Sequence, residues 1–365
     1  MMGNGFQLFK IFYWFTLLLV LSACSGTDTS DTDAVTTDED TVVTDPDEDG
    51  NDGLDTTDSG IELSLFRDIS SSSTVSCTLD DGTQTTCYEL VFNVNEIRDG
   101  SGSGELIDDE AGPFCPSSYT GDDGGVGIYD GNTGPGFQNL VQTLWDNMAI
   151  DGYDIIDESA GIICIQDPGG SRANIGSNCT SYCLNASADD GLTITYTIPV
   201  TPVPLATPDQ LGEIEHIGLS LDGVPITGDP PSVVGRGGNI PSLDHCGGHH
   251  DPAGYYHWHG IPESADVMHA EQGTNDQADC SVYITQDNTA LSGFARDGYP
   301  IYAYQDLVDG EVVTPSDLDS CNGHTGITAE YPDGIYHYHA SLDAPNLPTC
   351  ITGASVSTRT SPYIR

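Results

Sequence analysis

Basic residues are nearly missing from this chain. Its 365 residues hold 8 Lys plus Arg against 57 Asp plus Glu, a formal net charge of -49. Phosphate recognition needs clustered Lys and Arg, so nucleic acid is excluded as a partner, and charge-driven docking on anionic lipid goes with it. Methionine is also scarce: after the two N-terminal residues only Met148 and Met268 remain, which argues against a methionine-rich copper(I) carrier. The uncharged run Ile11 to Ala23 has 13 residues, too few to span a bilayer, which takes about 20. The signatures of thioredoxin-type redox chemistry and covalent haem, C-x-x-C and C-x-x-C-H, do not occur. Neither a G-x-S-x-G elbow, a phosphate loop nor an H-E-x-x-H helix is present, which removes the commonest hydrolase and nucleotide-binding sites.

What the chain has in quantity is turn residues. With 43 Gly and 21 Pro, together with abundant Thr, Ser and Asp, it reads as a mainly β protein. The order predicted is a signal peptide over 1–23, a disordered acidic tether over 24–60, a disulfide-stabilised β-rich region over 61–190 and a second β-rich domain over 191–365. Lys10 followed by the short apolar run is the layout of a secretory signal. That run ends Leu21-Ser22-Ala23-Cys24, which resembles the bacterial lipobox. The resemblance implies that Cys24 is lipidated as the first residue of the mature chain, so that a bilayer is a partner through this anchor. Ser25 after the cysteine implies delivery to the outer membrane or cell surface.

Residues 25 to 60 carry 13 acidic side chains, nine threonines and no basic or aromatic residue, too little apolar surface to fold. The stretch Asp45-Pro46-Asp47-Glu48-Asp49-Gly50 resembles the start of a calcium loop, but its twelfth position is Thr56 where a bidentate Glu is needed, so calcium binding in the tether is not expected. Ten cysteines remain after Cys24. An even number in an exported chain reads as up to five disulfides. Cys77 and Cys87 flank the turn Asp80-Asp81-Gly82 and fit a hairpin staple. In the same region the alternation of Ile61 to Phe66 predicts a strand, as does Tyr88 to Val94, and the apolar stripe from Phe137 to Met148 predicts a helix.

An internal repeat organises the remainder, with copies near 215–285 and 290–352. Asp222-Gly223-Val224-Pro225-Ile226 recurs as Asp297-Gly298-Tyr299-Pro300-Ile301, and Leu243-Asp244-His245-Cys246-Gly247-Gly248-His249 recurs at the same offset as Leu318-Asp319-Ser320-Cys321-Asn322-Gly323-His324. After a small insertion, Gly254-Tyr255-Tyr256-His257-Trp258-His259 recurs as Gly334-Ile335-Tyr336-His337-Tyr338-His339. Two copies of one supersecondary unit are therefore expected to pack together, with the Asp-Gly pairs as hairpin turns. Equivalent positions predict disulfides Cys246–Cys280 and Cys321–Cys350, the rival being a cross-repeat pairing such as Cys246–Cys321.

All ten histidines lie between His216 and His339. Alternate residues of a strand share a face, so His257 and His259 point together, as do His337 and His339. His249 and His324 would bring a third imidazole from the cysteine loop. Three converging nitrogens suit a divalent copper or zinc ion. Asp244 and Asp319 are expected to orient imidazoles by bonding their second nitrogens. The alternative for these strands is structural, with the histidines bonding backbone carbonyls. The spaced motifs Tyr196-Thr197-Ile198-Pro199, Phe294-Ala295-Arg296-Asp297-Gly298-Tyr299-Pro300-Ile301-Tyr302, Cys321-Asn322-Gly323-His324 and Tyr336-His337-Tyr338-His339 resemble the YHYH domain family over about 190–350, with Trp258 departing from the name motif in the first repeat. The resemblance implies export and names no reaction. Three functions stay open: a lipid-anchored metal-binding protein, a metal-dependent hydrolase-like enzyme using Asp244 or Asp319 as acid or base, and a non-catalytic structural or adhesive surface module.

Overall fold

Short runs of β-branched and aromatic residues, cut by Asp-Gly and Gly-rich turns, form strands along most of the chain. The computed structural model describes residues 60–93, 111–112, 114–121, 124–166, 178–211, 216–228, 238–358 and 361–365. The signal segment, Cys24 and the tether up to residue 59, with its calcium-like stretch, lie outside the described residues. No helix among the described residues is long and apolar enough to cross a membrane.

The first region contributes strands β1 (Ser71–Thr78), β2 (Gln84–Asn93), β3 (Val126–Tyr129) and β4 (Gly136–Asn139), then helix α1 (Gln142–Ile150). Then follow β5 (Thr193–Pro199), β6 (His216–Ser220), β7 (Pro225–Thr227), β8 (Ile240–Leu243), β9 (Gly248–His250), β10 (Tyr256–Trp258) and helix α2 (Ala265–Gln272). The second repeat brings β11 (Leu291–Ala295), β12 (Pro300–Tyr302), β13 (Asp306–Val308), β14 (Glu311–Val313), β15 (Gly323–Gly326) and β16 (Ile335–His339), and β17 (Tyr363–Ile364) ends the chain.

Two of the expected elements differ. Ile61 to Phe66 is not a strand: Leu63–Leu65 forms a 3-10 turn, which places Phe66 between Phe92 and Phe294 at ring separations of 5.9 and 5.3 Å. Burial of that ring outweighs the local alternation. The helix expected from Phe137 begins only at Gln142, because Phe137 pairs with Ile128 in the β3–β4 hairpin. Its buried side chains, Leu144, Trp145 and Met148, are the second half of the apolar stripe.

The repeat builds an eight-stranded sheet in the order β9-β10-β7-β6-β11-β12-β16-β15. Read from its centre outward, each half is the same series of strands. The central antiparallel pair, β6 with β11, sets Leu219 opposite Phe294, and these two residues occupy equivalent positions in the two copies. The halves are thus related by a pseudo-twofold axis passing between Leu219 and Phe294. Their backbones approach closely there: a Cβ on Gly218 would collide with the Phe294 carbonyl, and one on Gly293 with the Leu219 carbonyl. Asp222-Gly223 and Asp297-Gly298 turn β6 into β7 and β11 into β12, with Gly223 at φ +77° and Gly298 at +89°.

One face of the axis is covered by a four-stranded sheet, β1-β2-β5-β17. Leu219 and Phe294 share a core with Leu90, Phe92, Ile194, Tyr196 and Ile198, each such side chain contributing about 1.5–3 kcal/mol on burial. Beside the first repeat, β4 and β3 pair onward to β8, so the first region is hydrogen-bonded into the repeat domain. Five disulfides are formed: Cys77–Cys87, Cys115–Cys183, Cys164–Cys179, Cys246–Cys280 and Cys321–Cys350. The last two join equivalent parts of the repeats, with Cα separations of 4.7 and 4.8 Å, and no cross-repeat bridge occurs among the described cysteines.

Candidate metal centres

Each half-sheet ends in a hairpin that carries histidine on both strands. In β9–β10, His249 lies directly opposite His257; in β15–β16, His324 lies opposite His337. His259 and His339 follow two residues later on the same face, so three imidazoles meet at each outer edge of the sheet. Between β10 and β16 lie the four strands β7, β6, β11 and β12. The two triplets therefore do not face each other across the axis.

The loop before the third histidine is held by an aspartate. Asp244 Oδ1 accepts from the amides of Cys246 and Gly248 at 2.9 and 3.1 Å, and its Oδ2 accepts the Tyr256 hydroxyl. Asp319 repeats this with Cys321, Gly323 and Tyr336 at 2.8, 3.2 and 3.0 Å. Glycine is required at 248 and 323, where a Cβ would collide with those tyrosine hydroxyls. Asp244 and Asp319 therefore correct the sequence reading. Their oxygens are taken by loop amides and tyrosine, and they place the third histidine through the backbone instead of bonding an imidazole.

The groups that orient the rings are backbone carbonyls and one carboxylate. His259 Nδ1 donates to the Gly228 carbonyl at 3.2 Å, and His339 Nδ1 to the Ala303 carbonyl at 2.8 Å, acceptors that again match under the repeat offset. His337 Nδ1 donates to the Ile335 carbonyl at 3.0 Å, and His324 Nδ1 to Asp317 at 3.0 Å. In a neutral ring whose Nδ1 donates, Nε2 carries the lone pair.

In the second cluster those lone pairs converge. His324 Nε2 lies 3.0 Å from His337 Nε2 and 3.3 Å from His339 Nε2. Asp306, on β13, completes the group: its carboxylate oxygens stand 3.1 Å from His337, 3.1 Å from His324 and 3.4 Å from His339. A proton on one Nε2 would satisfy a single pair, whereas a cation at the centre satisfies all four atoms. An ion with bonds of about 2.0–2.1 Å in tetrahedral geometry separates its ligand atoms by about 3.3–3.4 Å, close to what is found. Burial alone would raise the Asp306 pKa, but its bonds with His337 and His339 outweigh that and hold the carboxyl below the usual range.

The first cluster has three ring nitrogens and no fourth donor among the described residues. His259 Nε2 is 3.0 Å from His257 Nε2 and 3.2 Å from His249 Nε2. Burial, reinforced by neighbouring imidazoles, keeps His249 and His257 far below the ordinary histidine range, and burial brings His259 down to about 4. These rings stay neutral, as ligands must. His249 Nδ1 is buried with no hydrogen-bond partner among the described residues.

Both groups could hold a metal ion. Asp306 was not foreseen, because the repeat offset aligns it with Pro231 and the symmetry argument passes over it. The remaining histidines serve the fold: His269 bonds Thr274 and the His245 carbonyl, His250 bonds the Gly112 carbonyl, His245 accepts from the Asp279 amide, and His216 stacks on Tyr196. The second motif tyrosine, Tyr338, donates to Asp297 at 2.7 Å. Where Trp258 replaces it, the equivalent Asp222 pairs with Arg67 at 3.0 Å.

Among known proteins, the likeness is confined to the repeat domain. Two segments, residues 195–313 and 304–353, match the family described as YHYH protein. No curated protein and no solved structure matches.

Proposed function

Residues 195–353 belong to the YHYH family, and on that footing we propose that the domain is a metal-binding module with one divalent zinc or copper ion at each end of its sheet. The observation that carries this reading is the convergence of His324, His337, His339 and Asp306, four acceptor atoms separated by about the edges of a coordination tetrahedron. Imidazole and carboxylate without thiolate or thioether suit borderline divalent ions. Five disulfides fit an oxidising compartment. In this reading Cys24 carries the lipid anchor, and the acidic tether holds the domain away from the bilayer at the outer membrane or cell surface.

Metal analysis of the oxidised, periplasm-expressed protein tests the proposal. About two ions per chain are expected, falling to none in His257→Ala/His337→Ala. A wild-type protein that takes up neither zinc nor copper would leave the surface-module reading in its place. Mass spectrometry of the mature N-terminus tests the anchor separately, and a free Cys24 thiol or cleavage elsewhere would remove it.

A further inference from the structure

The two clusters share their strands, loop aspartates and orienting carbonyls, yet they differ at the fourth corner. Asp306 fills it in the second. In the first, the described residues supply only the three nitrogens. The charge differs as well. A divalent ion held by three neutral imidazoles keeps its full charge of about +2, whereas the Asp306 carboxylate removes about one unit. Beside the first cluster the chain also places a carboxylate with an unengaged oxygen. Asp130, which follows β3, interacts electrostatically with His259. Its Oδ1 accepts from the Gly136 amide at 3.0 Å, while Oδ2 is buried with no hydrogen-bond partner among the described residues.

We propose that the two centres have divided their work: the His324–His337–His339–Asp306 centre holds a permanent structural ion, and the His249–His257–His259 centre holds an exchangeable ion whose fourth position takes water or a small anion. Three protein ligands with one open position is the arrangement of sites that bind exogenous ligands, and four protein ligands that of closed structural sites. In this proposal Asp130 accepts a hydrogen bond from the metal-bound water. The proposal rests on the metal-binding reading above.

Cobalt(II) is the probe, because its visible bands report coordination. In His337→Ala, which keeps only the first centre, azide is expected to shift the cobalt spectrum. In His257→Ala, which keeps only the second, azide is expected to leave it unchanged. Should either variant fail to fold, the doubly loaded wild type answers the same question: EDTA should release one ion ahead of the other, and azide should perturb only the ion released first. Azide acting on both centres alike, or on neither, or both ions leaving together, would overturn the division while leaving metal binding intact. Absence of cobalt uptake by the folded wild type would overturn both.

Discussion

At the scale of single residues, the two loop aspartates make the same bonds in different surroundings. Asp244 is fully buried and also accepts the Gly112 amide at 3.1 Å, while Asp319 is exposed. Asp244→Ala leaves buried amides and a tyrosine hydroxyl without an acceptor, at a cost of about 1–3 kcal/mol for each group left unsatisfied; Asp319→Ala removes an exposed carboxylate whose place water can take and should cost about 1 kcal/mol. Denaturant unfolding of the two variants checks the contrast. The first centre predicts a pH dependence. The unfolded chain protonates its histidines near pH 6.5, about the ordinary value, whereas in the fold His249, His257 and His259 resist, the last down to about 4. The unfolded state therefore binds more protons, and metal-free stability is lost as pH falls from about 6.5 towards 4. Burial raises the pKa values of Asp244 and of Asp297, the latter to about 6, which works in the opposite direction. The informative quantity is thus the difference in melting temperature between wild type and His257→Ala across this range, and a constant difference would contradict the assignment. Histidine spacing made the six clustered imidazoles legible in the sequence. Asp306 and the Gly228 and Ala303 carbonyls were not legible, since one is unique to a repeat and the others are backbone atoms that carry no residue signature.

Elements were readable where local pattern and tertiary packing agree. The strand expected from Tyr88 is found as far as Asn93 in β2, which pairs with β5, and both Asp-Gly turns formed hairpins. The pattern failed at Ile61 to Phe66 and at Phe137, where aromatic burial and hairpin pairing override period. The motif's first tyrosine has a job at this scale: it crosses over a glycine to reach the loop aspartate, tying β9 to β10 and β15 to β16. Gly248→Ala and Gly323→Ala should each push that tyrosine away and displace the following histidine. Each is expected to cost about 1–3 kcal/mol and to lower the metal content by one ion per chain, read by elemental analysis of the folded variants. Retention of both ions would show that the loop position is not what assembles the centres.

For the whole molecule, the axis between Leu219 and Phe294 is where the halves and the covering sheet meet. Phe294→Ala removes a fully buried ring and should cost about 3–5 kcal/mol, lowering a single unfolding transition; two separated transitions would mean that the halves are stable independently. The repeat itself was legible, with three motifs at nearly constant offset, but the placement of the triplets was not, since nothing in the spacing says which strands lie at the centre of the sheet. Because the matching strands lie at opposite margins, the two histidine clusters have separate neighbourhoods: Asp306 and its hairpin on one side, Asp130 and the first region on the other. A symmetric pair of separate chains must alter both of its sites whenever it alters one. Tandem fusion lifts that obligation, and here one copy could gain an aspartate where its twin has a proline, so that a single inherited scaffold serves two chemistries in one polypeptide.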